Sequence, residues 1–262
     1  MRALHTAATG MRAQELNVQV ISNNLANMRT TGYKRQRAEF QDLLYEHVRR
    51  VGSQTSDQGN LLPDGIELGS GVKAVGTPRL MTQGSLAQTG KDFDVAIRGE
   101  GFFKITMPDG RTAFTRDGSF ELDAQGRIVT AQGNLVQPGL TLPPNSSGIT
   151  INAQGQVSVT TPGSTASTAI GQIELVNFIN KSGLQAIGDN LYLETPASGT
   201  PQNGTPGLDG FGDLLQGSLE QANVEAVSEI TDLIAAQRAY EMNSKVITAA
   251  DQMLQTSANM MR

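Results

Sequence analysis

Apolar residues return in steps of three and four near the start of the chain, at Leu4, Ala7, Met11, Val18, Ile21, Leu25 and Met28, and Gln14 breaks the row. At the far end Leu219, Ala226, Leu233, Tyr240, Ile247, Leu254 and Met261 recur at every seventh position. A helix whose apolar row repeats every 3.5 residues keeps one seam toward a partner. Both ends therefore read as helices built to pair, and a chain that pairs its ends loops its middle outward. Such a stripe can also be one wall of an ordinary core. The seven-residue period, the unbroken last helix and its adaptable methionines, Met242, Met253, Met260 and Met261, favour self-assembly instead.

The first helix is predicted from about Arg2 to Arg29, stopping near Gly32, a residue suited to the left-handed conformation after a helix end. Gly10 inside it costs about 1 kcal/mol relative to Ala. A short second helix is predicted over Gln36 to His47, with Phe40, Leu43, Leu44 and His47 along one side. From Val51 to Gly90 the chain turns to Gly, Ser, Thr, Gln and Asn, which predicts strand and loop. Composition leaves open whether this is a linker or an arm ordered against neighbours.

Between Asp92 and Glu194 short β-branched and aromatic runs alternate with turn dipeptides. Phe93–Ile97, Phe102–Met107 and Thr112–Thr115 read as strands, with a turn at Pro108-Asp109-Gly110. Asp117-Gly118, Gln125-Gly126, Gln132-Gly133 and Gln154-Gly155 mark further hairpins. The stretch Leu122 to Val129 is echoed at Ile151 to Ser158, which predicts a repeated hairpin unit. Ala197 to Asp213, rich in Pro and Gly, reads as a connector, and Ser218 with Gln221 as the capping box of the last helix.

The expected fold is mixed α and β. An N-terminal helical segment (1–42) and a C-terminal helix (218–262) form a coiled-coil-like inner domain. Between them lie an extended arm (43–90), an all-β domain (91–196) and a connector (197–217).

Composition narrows the chemistry. Hydrophobic residues are 38% and aromatics 5%, with no Trp, which is lean for a large enzyme core and fits a chain that finds part of its burial in assembly. No run approaches the roughly 18 apolar residues of a membrane span, and Met1 to His5 lacks the apolar core of a secretory signal. The absence of Cys removes thiolate chemistry and cysteine-based zinc sites, and His5 and His47 cannot supply a histidine-rich metal centre. A net charge of −5 argues against a general nucleic-acid binder. No cofactor is expected.

Gly99-Glu100-Gly101 lacks the third glycine and following helix of a dinucleotide loop, so it reads as a tight turn. Arg29, Lys34, Arg35 and Arg37, with Tyr33 among them, can be a solvated helix end, or can meet acidic neighbours such as Glu220, Glu225, Glu229 and Asp232. Asp92, Asp94, Asp117, Glu121 and Asp123 could in principle supply a glycosidase pair. Their places at turns and strand ends favour local hydrogen bonding, so no catalytic residue is assigned.

The segment Ser22-Asn23-Asn24-Leu25-Ala26-Asn27, followed by Gly32 and Tyr33, closely resembles the N-terminal signature of the bacterial flagellar rod and hook proteins. Val224 to Glu241, including Leu233-Ile234-Ala235-Ala236-Gln237-Arg238-Ala239-Tyr240, resembles the same family's closing helix. Gln83 to Gly90 and Gly99 to Phe103 extend the likeness through the middle. The segment Val51 to Gly71 looks like the long arm of members that build the distal rod.

The resemblance implies a non-enzymatic subunit that assembles helically with its own copies into a rigid, hollow drive shaft that carries torque to the hook and serves as the export channel. It implies proximal rod and hook proteins and surrounding ring proteins as partners, with no nucleic acid and no membrane insertion. It also implies export by the flagellar type III apparatus without a cleavable signal, and a place in the part of the basal body that spans the periplasm. Phe40 and Leu44 resemble the family's phenylalanine-led export motif. A proximal rod or hook subunit is the alternative within the family, and a secreted peptidoglycan-acting enzyme or a surface binding module the alternatives outside it.

Overall fold

The computed structural model describes residues 2–49, 64–144, 146, 148–161 and 167–260. The chain forms two compact units: residues 1–25, 36–78 and 225–262 make one, and residues 26–35 and 79–224 the other. Helices at both ends and a β-rich body make the fold mixed α and β.

The first unit holds α1 (Arg2–Ala26) and α2 (Ala226–Met260). α1 ends three residues before the predicted Arg29. The Asn27 carbonyl accepts the Thr30 N–H at 3.0 Å and its side chain accepts the Thr30 hydroxyl. Such local polar bonds compete with helix. α2 begins at Ala226 rather than Ser218, and its 35 residues, at about 1.5 Å each, make a rod of about 52 Å.

The predicted helix over Gln36 to His47 is not present. Those residues supply β1 (Glu39–Asp42) and β2 (Tyr45–Arg49), which pair with β4 (Val72–Gly76) and β3 (Ile66–Gly69) in one antiparallel ribbon. Three apolar positions and a histidine in a short window also fit an extended chain, and the ladder to β3 and β4 decides. The Val72 N–H donates to the Thr9 hydroxyl at 3.3 Å and so ties the ribbon to α1. Residues 51–63 of the predicted arm lie outside the described residues.

The second unit begins with β5 (Leu86–Gln88), β6 (Val95–Arg98), β7 (Phe102–Thr106), β8 (Thr112–Thr115), β9 (Phe120–Leu122), β10 (Ile128–Thr130) and β11 (Leu135–Val136). β12 (Gly148–Ile151), β13 (Gln156–Thr160), β14 (Ser167–Gln172), β15 (Leu175–Asn177), β16 (Gln185–Gly188) and β17 (Leu191–Leu193) follow. β18 (Gln202–Gly204), β19 (Asp213–Gln216) and β20 (Ser218–Glu220) complete it.

The large sheet runs β16-β17-β8-β7-β11-β10-β9, with β15 beside β7 and β18 beside β15. β12-β13-β14 form a second sheet, and β6 pairs with β19 and β5 with β20. Alternation along β7 splits the core: Phe103 and Ile105 join Val95, Ile97 and Val157, while Phe102 packs on the other face with Phe114, Phe178 and Tyr192.

The predicted connector is thus part of this unit, because β18 and β19 lie inside it. Ser218 opens a strand after Gly217, whose φ of 69° turns the chain there. Asp117-Gly118 is not a hairpin either, since β8 and β9 do not pair. Gly118 lies against Val95, whose carbonyl a side chain would strike.

The sequence echo is a repeated turn. At Asp123 and again at Asn152, the N–H donates to the carbonyl four residues on, and the glycine three residues on, Gly126 or Gly155, donates back. The same pair of bonds closes the turns at Met107 and Thr130. Asp123, Thr130 and Asn152 each add a side-chain oxygen that accepts the N–H four residues on.

Candidate functional site

Three of the motif segments converge in the β-rich unit on one buried carboxylate. Glu220, at the end of β20, accepts the Lys34 ammonium on Oε1 at 2.6 Å and the Arg116 Nε and Nη2 on Oε2 at 2.9 and 2.8 Å. The Gly84 N–H also donates to Oε1 at 2.9 Å, and the Gly32 N–H to the Glu220 carbonyl at 2.8 Å. Lys34 and Glu220 are 1% exposed and Arg116 4%, so water does not screen the cluster.

Two cations share one carboxylate, and backbone carbonyls take the remainder. Lys34 donates to the Thr82 carbonyl at 2.8 Å, and Arg116 Nη1 to those of Gly99 and Gly101 at 2.9 and 2.7 Å. Burial holds the Lys34 ammonium below its ordinary value, the Glu220 carboxylate opposes that, and the Arg116 cation reinforces it. Gly99-Glu100-Gly101 therefore turns its carbonyls toward a cation, the opposite polarity from a phosphate loop. Gly32 (φ 68°) admits no side chain, because a Cβ would lie 2.8 Å from the Asp117 nitrogen.

In the other unit Asn24 donates to Glu229 Oε2 at 3.1 Å and to the Gln36 carbonyl at 2.8 Å, and accepts the Gln36 N–H at 2.9 Å. Gly10 faces Asn243 so closely that a Cβ would lie 2.9 Å from Nδ2. These two contacts are fourteen residues apart on each helix and in opposite chain directions, so α1 and α2 run antiparallel. The contact line of α2 is Glu229, Ala236, Asn243 and Ala250, small or polar residues at heptad spacing. On α1 the buried residues are Ala7, Ala13, Val20, Ile21 and Asn24. Small residues let the two backbones approach, and larger ones are left beside the contact.

The predicted seams flank this line. Ile21 is buried, Leu4, Met11, Val18, Leu25, Ala226, Leu233 and Ile247 are half-buried, and Tyr240 and Leu254 are exposed. Met28 lies in the turn after α1, and Leu219 sits in β20 opposite Ala87 rather than on a helix. Met261 lies outside the described residues. Of the signature, Asn24 and Gly32 are buried, Asn27 and Tyr33 half-buried, and Ser22, Asn23 and Ala26 exposed.

Phe40 lies in β1 opposite Ala74, and Leu44 is 87% exposed between β1 and β2, so no helix places the two on one side. Three of the five candidate acids make local hydrogen bonds: Asp94 accepts the Thr89 hydroxyl, Asp117 accepts the Ser119 N–H, and Asp123 accepts the Gln125 and Arg127 N–H groups. Arg116 and the Gly10–Asn243 approach escaped the sequence reading. A readable signal for the second is Ala236, Asn243 and Ala250 at every seventh position.

A family model described as Flagella basal body rod protein matches residues 4–34. Models of the Flagellar hook protein FlgE/F/G D1 domain and the Flagellar basal body rod FlgEFG protein C-terminal match residues 96–159 and 215–260. Helical ends on a β-rich body, with these matches in this order, define a flagellar rod and hook protein.

The flagellar basal-body rod protein FlgG of Caulobacter vibrioides is 56% identical over 260 residues, 99% of each chain. FlgG of Buchnera aphidicola subsp. Schizaphis graminum is 49% identical over 97% of each, and that of Borreliella burgdorferi 47% over 100% of this chain and 99% of its own. The chain belongs to the FlgG family of flagellar basal-body rod proteins. It is a structural protein of the flagellum, not an enzyme. A solved Helicobacter pylori flagellar hook protein, FlgE2, is 16% identical over 60% of this chain and 47% of its own, with a TM-score of 0.24, too distant to bear on the fold.

Proposed function

We propose that the chain is a subunit of the distal rod, stacking helically with its own copies into the hollow shaft that carries torque toward the hook. The observation that carries this reading is the apolar surface that the helix pair leaves in water. Val227, Ile230, Ile234, Tyr240, Val246, Met253 and Leu254 of α2 are each at least 44% exposed. All of residues 251–260 are exposed as well. In the shaft α1 and α2 line the inner tube, where coiled-coil-like seams close between copies. The ribbon of β1 to β4, with Leu44, Tyr45, Val48 and Ile66 exposed, and the β-rich unit build the outer layers.

Stiffness follows from layering, because shear of such a tube disturbs many packed contacts at once. The proximal rod and hook proteins adjoin the two ends, and ring proteins surround the shaft where it spans the periplasm. The flagellar type III apparatus delivers the subunit, with Phe40 and Leu44 as its export motif.

Leu233→Asp puts an unpaired charge in the seam. Basal bodies from cells carrying it should lack a distal rod, while the purified variant keeps its far-ultraviolet circular dichroism. Normal rods would overturn the reading. Deleting Val51 to Gly71 should leave export intact and give flexible or curved rods, and straight, stiff ones in electron micrographs would refute the role of the arm.

A further inference from the structure

The groove between α1 and α2 has a volume of about 450 Å³ and is lined by Glu15, Val18, Gln19, Gln237, Tyr240 and Glu241. Its apolar floor is in water, Tyr240 being 44% exposed. A second apolar row follows along α2: Met242 (61% exposed), Val246 (48%), Met253 (65%) and Met260 (78%).

Heptad geometry places these rows on opposite sides of the contact line. Tyr240 precedes Asn243 by three residues and Gln237 follows Ala236 by one, which sets both on the groove side. Met242 precedes Asn243 by one, and Val246 and Met253 follow Asn243 and Ala250 by three, which sets them on the other side. One neighbour cannot cover both. Their charges differ as well: Glu15 and Glu241 wall the groove, while the exposed Lys245, one turn beyond Glu241 on the outer face of α2, borders the methionine row between Met242 and Ala249.

We propose that the groove between α1 and α2 receives the Met242–Val246–Met253 row of a neighbouring copy, with Lys245 of the partner subunit set against Glu15 and Glu241. An acid-walled apolar groove and a lysine-flanked apolar row on opposite sides of one helix pair make a head-to-tail contact. Repeated without closure, such a contact generates a helical filament rather than a dimer. Methionine suits the inserted row, because its unbranched side chain adapts to an irregular groove. The proposal rests on the chain being a self-assembling rod subunit and names the surfaces that do the assembling.

The absence of native cysteines allows a clean test. In a Tyr240→Cys/Val246→Cys variant the two positions are about 9 Å apart along the helix. That is too far for a disulfide within one chain. Basal bodies isolated from cells carrying it, after mild oxidation, should give a ladder of linked copies on a non-reducing gel, and neither single variant should.

Rods that form without a ladder would overturn the groove while leaving the rod subunit intact. Isolated rods that lack the unsubstituted chain would instead overturn the rod reading itself. Should the double variant fail to build rods, the charges decide. Lys245→Glu should abolish rods and Glu15→Lys/Glu241→Lys should restore them, and normal rods from Lys245→Glu alone, or no rescue, would overturn the proposal.

Discussion

The buried charge cluster and the helix pair solve opposite problems. Around Glu220 each charge has a partner inside the β-rich unit, and Lys34, Arg116 and Glu220 are closed off from water. Between α1 and α2 the contact is a line of small and polar residues, and the larger apolar side chains stay beside it. The first is complete within one chain; the second leaves apolar side chains in water, which the proposed assembly would cover. The same family signature feeds both, since Asn24 anchors the helix pair and the Gly32 N–H donates to the Glu220 carbonyl in the cluster. The buried signature residues Asn24 and Gly32 mark where structure is fixed within the chain, and the exposed rows mark the surface that the proposed assembly would use.

That contrast can be broken by substitution. Glu220→Gln leaves Lys34 and Arg116 buried with no counter-charge and should cost about 3–5 kcal/mol, a large part of the stability of a typical domain. Urea unfolding of the full-length chain should lose its β-rich transition at moderate denaturant, and an unshifted midpoint would deny the cluster its role.

Asn24→Leu removes the donation to Glu229 and the two bonds to Gln36, and should cost about 1–3 kcal/mol. The loss should be confined to the helix pair, seen as faster amide exchange in α1 and α2 with β7 and β8 unchanged. Equal acceleration everywhere would show that the two units do not separate energetically.

Acid has the smallest effect. Hydrogen bonds from the Arg111 and Arg127 backbones hold the Asp109 and Asp123 carboxyls below their ordinary 3.8, and the Arg98 guanidinium does the same for Asp213. A depressed folded value means that the unfolded chain binds protons first, so this stability is present in full above 3.8 and fades as pH falls through the folded values. Asp123→Asn should flatten the acid limb of the unfolding midpoint against pH, and an unchanged limb would contradict it.

The sequence was most legible where side-chain period and turn chemistry agreed. Thr112–Thr115 is a strand with the expected bounds, and the echo at Leu122 and Ile151 is one turn used again. It misled where a short pattern had two readings. Phe40, Leu43, Leu44 and His47 fit a helix in a window too short to test the period, and strands far along the chain claimed the segment. Ser218 and Gln221 fit a cap, but Gly217 and the pairing with β5 made a strand. Heptad reading follows large apolar residues, whereas helices that come close do so on small ones. A heptad reading therefore picks out residues such as Leu233 and Ile247 and passes over the Gly10–Asn243 contact beside them. Glu220 stands 186 residues from Lys34, and no local pattern reports such a partnership.

Amide exchange compared between the full-length monomer and assembled rods tests the central claim most directly. The account predicts equal protection in β6 to β8 and at Lys34 and Glu220 in both states, and strong new protection in α2, above all at Met253, Leu254 and the residues up to Met260, in rods alone. An α2 already fully protected in the monomer, or a β-rich unit that gains its protection on assembly, would contradict it.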